Sequence, residues 1–223
     1  MASDWWAAGL LGLSLLAGHA HAAQADSAEA KHLAALAPAA MRHSLQLTLK
    51  ATNGQAVRFD SQHPANDSPL AAEYVDYRLA GATPDGRFFV VSALAYESET
   101  LFWVSRATGR KVEVFAPPDV SPGGRYAVTA LHWEAFDPEG VFIWEIAGDS
   151  LLPRGHLQQG NYGLFTFKRW TGADTAELEL YSHDFLRWCP AGTQSTTATV
   201  RLARGAKGWA LAEPASAHEV KCE

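Results

Sequence analysis

Apolar residues along this chain recur at every second position far more often than at every third or fourth. Leu45, Leu47 and Leu49 alternate with polar neighbours, Asn53-Gly54 supplies the dipeptide of a tight hairpin, and Val57 and Phe59 resume the alternation. A period of two sets side chains on one face of a strand, so these residues predict a hairpin with one covered face. Val75, Tyr77 and Leu79 alternate again, and Gln62 to Pro69, holding two Pro, an Asn and an Asp, reads as a surface loop. The stretch from Arg87 to Leu94 is apolar on both faces, as a strand with a layer on either side requires. Further strands are predicted at Leu101 to Ser105, Lys111 to Phe115, Tyr126 to Trp133, Val141 to Ile146, Tyr162 to Trp170 and Leu178 to Tyr181. A terminal hairpin is predicted from Thr197 to Arg204 and Gly208 to Glu213. Helical spacing is confined to Asp26 to Met41, rich in Ala with Leu33 and Leu36, which reads as a short helix ending near Pro38 or a leader. The expected class is all-β.

The strands come in a repeated order. Thr83-Pro84-Asp85-Gly86-Arg87-Phe88 leads into Leu101-Phe102-Trp103-Val104 and the turn Ala107-Thr108-Gly109-Arg110, and Ser121-Pro122-Gly123-Gly124-Arg125-Tyr126 leads into Val141-Phe142-Ile143-Trp144. A third match, Tyr162 to Trp170 followed by Leu178 to Tyr181, has lost the Pro-Asp-Gly turn. The spacing is about 40 residues, that of a propeller blade. These residues resemble the WD40-like repeats of periplasmic propellers of the TolB family, in which a Ser-Pro-Asp-Gly turn feeds the inner strands and an apolar strand ending in Ala-Thr-Gly forms the outer part. The resemblance covers Thr83 to Ile146 and implies a small β-propeller or a propeller-like array of antiparallel sheets, with a β-sandwich as the rival architecture. It names no function, because propellers host unrelated ones.

The N-terminus adds a compartment to this picture. Ala7 to Ala17 is an uncharged run of Ala, Gly and Leu with one Ser, and Ala20-His21-Ala22 follows it with small residues where signal peptidase reads them. Residues 1–22 are therefore expected to be a secretory signal, although Asp4 stands where Lys or Arg is usual. A bilayer needs about 20 apolar residues, more than this run supplies, so no stable membrane anchor is expected after cleavage. Residues 23–43 would form the leader or short helix, and 44–223 a single β domain. Export to the periplasm or beyond agrees with the cysteine count, since Cys189 and Cys222 are the two present and pair most simply as one disulfide stapling the C-terminal hairpin. The net charge of −6, without basic clusters, argues against nucleic acid as a partner. The sequence sets no oligomeric state.

Candidate chemistry is sparse. Gly148-Asp149-Ser150-Leu151 spells the motif of the GDSL esterases, but the Asp-x-x-His that would supply the base occurs only upstream, at Asp60 to His63, so Ser150 reads as a turn residue. His132, Glu134, Asp137 and Glu139 form the densest titratable cluster; a metal needs a third ligand in fixed geometry, and a solvated strand end is the simpler reading. No calcium loop and no phosphate-cradling glycine loop is present in the sequence, so no metal or cofactor is expected. Trp103, Trp133, Trp144, Trp170, Trp188 and Trp209 recur about once per strand pair and read as packing, with one or two available as anchors for a partner. Without a complete catalytic set, the expectation is an exported, non-enzymatic protein-binding module of the bacterial periplasm: an inhibitor, an immunity-type protein or part of an envelope complex. Loops at one end would carry the contact, through Trp133, Asp137, Glu139, His156 and Asn161. The alternatives are a hydrolase working through Ser150 or through His132 and Glu134, and a binder of small ligands or glycans.

Overall fold

The computed structural model describes residues 27–64, 70–96, 98–131, 140–158, 164–212, 214 and 216–222. They form four antiparallel sheets in chain order, so the all-β expectation holds. Sheet one is β1 (Ala40–His43), β2 (Gln46–Lys50) and β3 (Ala56–Asp60). Sheet two is β4 (Val75–Ala82), β5 (Phe88–Ala95), β6 (Glu99–Ser105) and β7 (Lys111–Glu113). Sheet three is β8 (Asp119–Val120), β9 (Tyr126–Leu131), β10 (Gly140–Ala147) and β11 (Ser150–Leu157). Sheet four is β12 (Leu164–Trp170), β13 (Thr175–Ser182), β14 (Thr196–Gly205) and β15 (Gly208–Ala212), with β16 (Val220–Cys222) added beside β14. Each sheet is a meander of strands paired with the next in sequence, except that β16 returns to pair with β14.

The apolar pattern decides how the sheets stack. On β5 and β6, Phe89, Val91 and Val104 face one way and join Leu47, Leu49 and Phe59 in a core between sheets one and two. Phe88 and Trp103, one position out of phase, face the other way and meet Ala127, Trp144, Ile146 and Leu151 between sheets two and three. A third core sets Tyr126, Val128, Val141 and Ile143 against Phe165, Leu178, Leu180, Val200, Leu202 and Trp209 of sheet four. Each fully buried Phe or Leu contributes about 1.5–3 kcal/mol to this stacking. The Trp residues divide as their packing reading requires: Trp103, Trp144 and Trp209 are buried, and Trp170 and Trp188 pack against the third core.

The repeated turns share three hydrogen bonds, to which the first adds bonds to Asp85 from Thr83 and Arg87. Thr83 Oγ1 accepts from the Phe88 amide at 3.1 Å, and Ser121 Oγ accepts from the Tyr126 amide at 2.9 Å. The Thr83 amide donates to the Phe88 carbonyl and the Gly86 amide to the Thr83 carbonyl; Ser121, Tyr126 and Gly124 repeat both bonds. Gly86 and Gly124 sit at φ 71° and 72°, a region other residues rarely adopt, so the hydroxyl and the glycine are both dictated by the turn. By its place in the sheet, the matching turn of sheet four joins β12 to β13, where the Thr171 amide donates to the Thr175 carbonyl without Pro or hydroxyl cap. Sheet four thus begins one strand later than the sequence spacing implied.

Three expectations are modified. Of the two readings of the N-terminal stretch the described residues follow the short helix, which spans 27–36 and packs Leu33 and Leu36 on the first core, but β1 belongs to sheet one, so the β structure begins before residue 44. Glu29 anchors that helix, its carboxylate accepting from Arg42 Nη2 at 2.6 Å and from the Leu79 amide at 2.8 Å, beside a bulge in β4. The strand expected from Lys111 to Phe115 stops at Glu113, because Phe115 turns at φ 64°. The Gln62–Pro69 loop is tied at its start, where Gln62 bridges Val75. The disulfide is as expected: Cys189 bonds Cys222, fastening β16 to the segment between β13 and β14.

Candidate functional site

Sheet three extends past sheet two on one flank, and the uncovered strip is a groove of about 480 Å3. Val112, Glu113 and Phe115 form one wall; Phe142 and Trp144 of β10 and Pro153, Gly155 and His156 of β11 form the floor and the other wall. β7 ends after three residues at the groove wall, and β11, whose Leu151 is buried between the two sheets, borders the groove at Pro153, Gly155 and His156.

An aromatic stack lines this groove. The Phe142 ring lies 4.0 Å from the His156 ring at an interplanar angle of 13°, 4.5 Å from Phe115 and 6.0 Å from Trp144. Phe142 and His156 are directly opposed in the β10–β11 ladder, which is why a strand pair brings them face to face. Phe115 arrives by a costlier route. The Ala116 amide donates to the Val114 carbonyl at 2.8 Å, closing a γ-turn centred on Phe115 with positive φ. That turn is rare and strained for a bulky residue, and such strain gathers at functional sites. β11 carries a further irregularity: its register against β10 shifts between Ile143 and Trp144, leaving Arg154 as the extra residue. The bulge aims Arg154 Nε at Glu145 Oε2, 2.8 Å away, while Arg125 donates to Glu145 Oε1 at 3.0 Å. Hydrogen bonds from Arg154 and then Arg125 hold the Glu145 carboxyl below the usual carboxylate range.

The sequence-derived candidates scatter. His156 lies in the groove. His132, Trp133, Glu134, Asp137, Glu139 and Asn161 fall outside the described residues. Ser150 opens β11 opposite Ala147, and Gly148-Asp149 is the two-residue hairpin turn between them, with Gly148 at φ 57° and its carbonyl accepting from Arg87 Nη1 at 3.0 Å. His156 is six residues further along the same strand, roughly 20 Å away at about 3.3 Å per residue, too far to act on the Ser150 hydroxyl. Among the described residues no three of His, Cys, Asp and Glu come together as a metal site, and no helix is long and apolar enough to cross a membrane.

A second polar cluster lies near the other edge of sheet two. His63 Nε2 is 3.2 Å from Asp76 Oδ1, Arg78 Nε is 2.5 Å from Asp76 Oδ2, and the His63 ring stacks on Tyr74 at 5.1 Å. Burial and then the Asp76 charge push the Tyr74 hydroxyl up from its ordinary value. These contacts tie the β3–β4 connection to β4, a structural role.

Sequence reasoning missed Phe115, Phe142 and Pro153. Phe142 sits in an unbroken apolar run whose residues all read as core, and nothing before Pro117-Pro118 announces a turn at Phe115. No family model matches this chain, and no curated protein matches it.

Proposed function

We propose that this chain is an exported, non-enzymatic protein-binding module of the bacterial periplasm, acting as an inhibitor, an immunity-type protein or a component of an envelope complex. The observation that carries the reading is the flank groove, where Phe115, Phe142 and His156 stay stacked at a strand edge at the cost of a strained turn. Aromatic clusters of this kind supply binding energy when a partner seals them from water. The disulfide fits an oxidising compartment. The test is affinity capture from a periplasmic extract with the chain from Ala23 onward, run beside Phe142→Ser. A protein held in stoichiometric amount by the native chain and lost with Phe142→Ser supports the reading; a folded bait that captures nothing, or a partner indifferent to the substitution, overturns it.

A second reading, a small-ligand binder, draws on the volume of the groove, which lies within the range of ligand sites. It predicts quenching of Trp144 fluorescence by a ligand and loss of that quenching in Trp144→Phe.

A further inference from the structure

The groove is the vacant place of one more strand. Among the described residues β7 is the edge of sheet two, paired with β6 through Phe102, Trp103 and Val104. The bonds to β6 come from alternate residues: the Val114 amide donates to Leu101, and the Arg110 carbonyl accepts from Ser105. By the same alternation the amides and carbonyls of Lys111 and Glu113 point away from β6, towards the groove side. A strand placed about 4.8 Å beyond β7 would lie over β11, about 10 Å above it, and cover the uncovered strip.

β7 is a short, charged edge, and shortness, charges, Pro and bulges are the usual guards against pairing; its two charges, however, are turned towards sheet one. Here the Lys111 ammonium lies 5.1 Å and 4.9 Å from the ring centroids of Phe59 and Phe102, on the face towards sheet one. Glu113, opposite Phe102 in the ladder, shares that face and accepts from Thr100 Oγ1 at 3.0 Å. Lys111 does not line the groove, and Glu113 meets it only at the wall where Val112 and Phe115 pack beside Phe142.

We propose that an extended segment of a partner protein adds to the free edge of β7 as an antiparallel fifth strand of sheet two, with an apolar side chain inserted in the groove over Phe142 and His156. This rests on the protein-binding reading and specifies its mode. Strand addition takes affinity from main-chain bonds and specificity from alternate side chains. Residues opposite Lys111 and Glu113 fall on the charged face, and opposite charges are favoured across a ladder. An antiparallel strand meets Glu113 first, so the segment reads basic, apolar, acidic from its N-terminus. The apolar residue between them faces the groove.

The test uses the mature disulfide-bonded chain and two short capped peptides of equal composition, one centred on Lys-Phe-Glu and one on Glu-Phe-Lys, titrated by fluorescence anisotropy. The expected result is at least fivefold tighter binding of the Lys-Phe-Glu peptide. Glu113→Pro, which removes an amide directed away from β6, is expected to weaken it tenfold or more with the circular dichroism spectrum kept. If Glu113→Pro does not fold, the Lys-Phe-Glu peptide N-methylated at the amides that would meet β7 replaces it, with the same loss expected. Equal binding of the two peptides, no binding, or binding unaffected by the proline or by N-methylation overturns the proposal. A partner that is captured and needs Phe142 while neither peptide binds would leave the protein-binding reading standing and remove strand addition alone.

Discussion

The hairpin turns at one end of the sheets and the groove on the flank are built from the same strands by opposite means. At the turns every connection is short, glycine relieves the backbone, and neighbouring turns lock together: the Thr52 amide donates to Arg106, the Arg106 amide to Arg87, and the Arg87 guanidinium to Gly148. Buried hydroxyls of Thr83 and Ser121 satisfy the amides that open β5 and β9. At the groove a bulky residue takes the positive φ, one ladder is bulged, an edge is left open, and the Phe115 and Phe142 rings are half-buried. The first region is arranged for stability. The second keeps a strained turn and incompletely buried rings that stability alone would not select, which is the argument for reading it as the working surface.

The comparison can be broken or sharpened in order of expected effect. The largest belongs to the disulfide at the far end of sheet four, which closes a long loop: Cys222→Ser should cost about 2–5 kcal/mol in chemical denaturation. A cost below about 1 kcal/mol would mean that the pairing of β16 with β14 holds the C-terminus without the disulfide. Next come the capped turns. Thr83→Val and Ser121→Ala each leave a buried amide without its acceptor and should each cost about 1–3 kcal/mol. Thr83→Val should cost more, because it also removes the Thr83 bond to Asp85; a large cost at one and none at the other would break the equivalence of the turns.

The groove should behave differently. Phe115→Gly relieves the positive φ while removing a half-buried ring, so the two terms offset and stability should shift by less than about 1 kcal/mol. Partner binding should nonetheless fall. A substitution that destabilised the protein as much as Thr83→Val would place Phe115 among the structural residues.

The smallest effect is a pH dependence of the first repeated turn. Burial acts to raise the Asp85 carboxyl, but hydrogen bonds from Thr83 and Arg87 outweigh it and hold the group below its ordinary value. A carboxyl with a lowered folded-state pKa contributes stability above its unfolded value, near 4, and loses that contribution as pH falls through the folded one. The melting-temperature gap between the native chain and Asp85→Asn should therefore be full at pH 7 and shrink towards pH 3. A gap that widens on acidification would reverse the sign.

The alternation of Leu47, Leu49, Val57 and Phe59, the two-faced run of β5, the Asn53-Gly54 turn and the cysteine pair all report local or near-local constraints, and each was legible in the sequence. The third repeat was displaced by one strand because its turn, from Thr171 to Thr175, uses neither Pro nor a capping hydroxyl. Glu29 looked like a leader residue because its partners, Arg42 and the Leu79 amide, are brought to it only by folding. The groove was hidden for a related reason. An apolar run tells that Phe142 and Trp144 face a neighbouring sheet, while how far that sheet reaches depends on where β7 stops, and that is set by the turn at Phe115.

The most direct test of the central claim compares partner capture by the native chain, by Phe142→Ser in the groove and by Ser150→Ala at the hairpin turn, each first shown to be folded. The account predicts that the partner is lost with Phe142→Ser and retained in full with Ser150→Ala. Capture that survives in Phe142→Ser and disappears in Ser150→Ala would contradict it, moving the working surface from the groove to the turns.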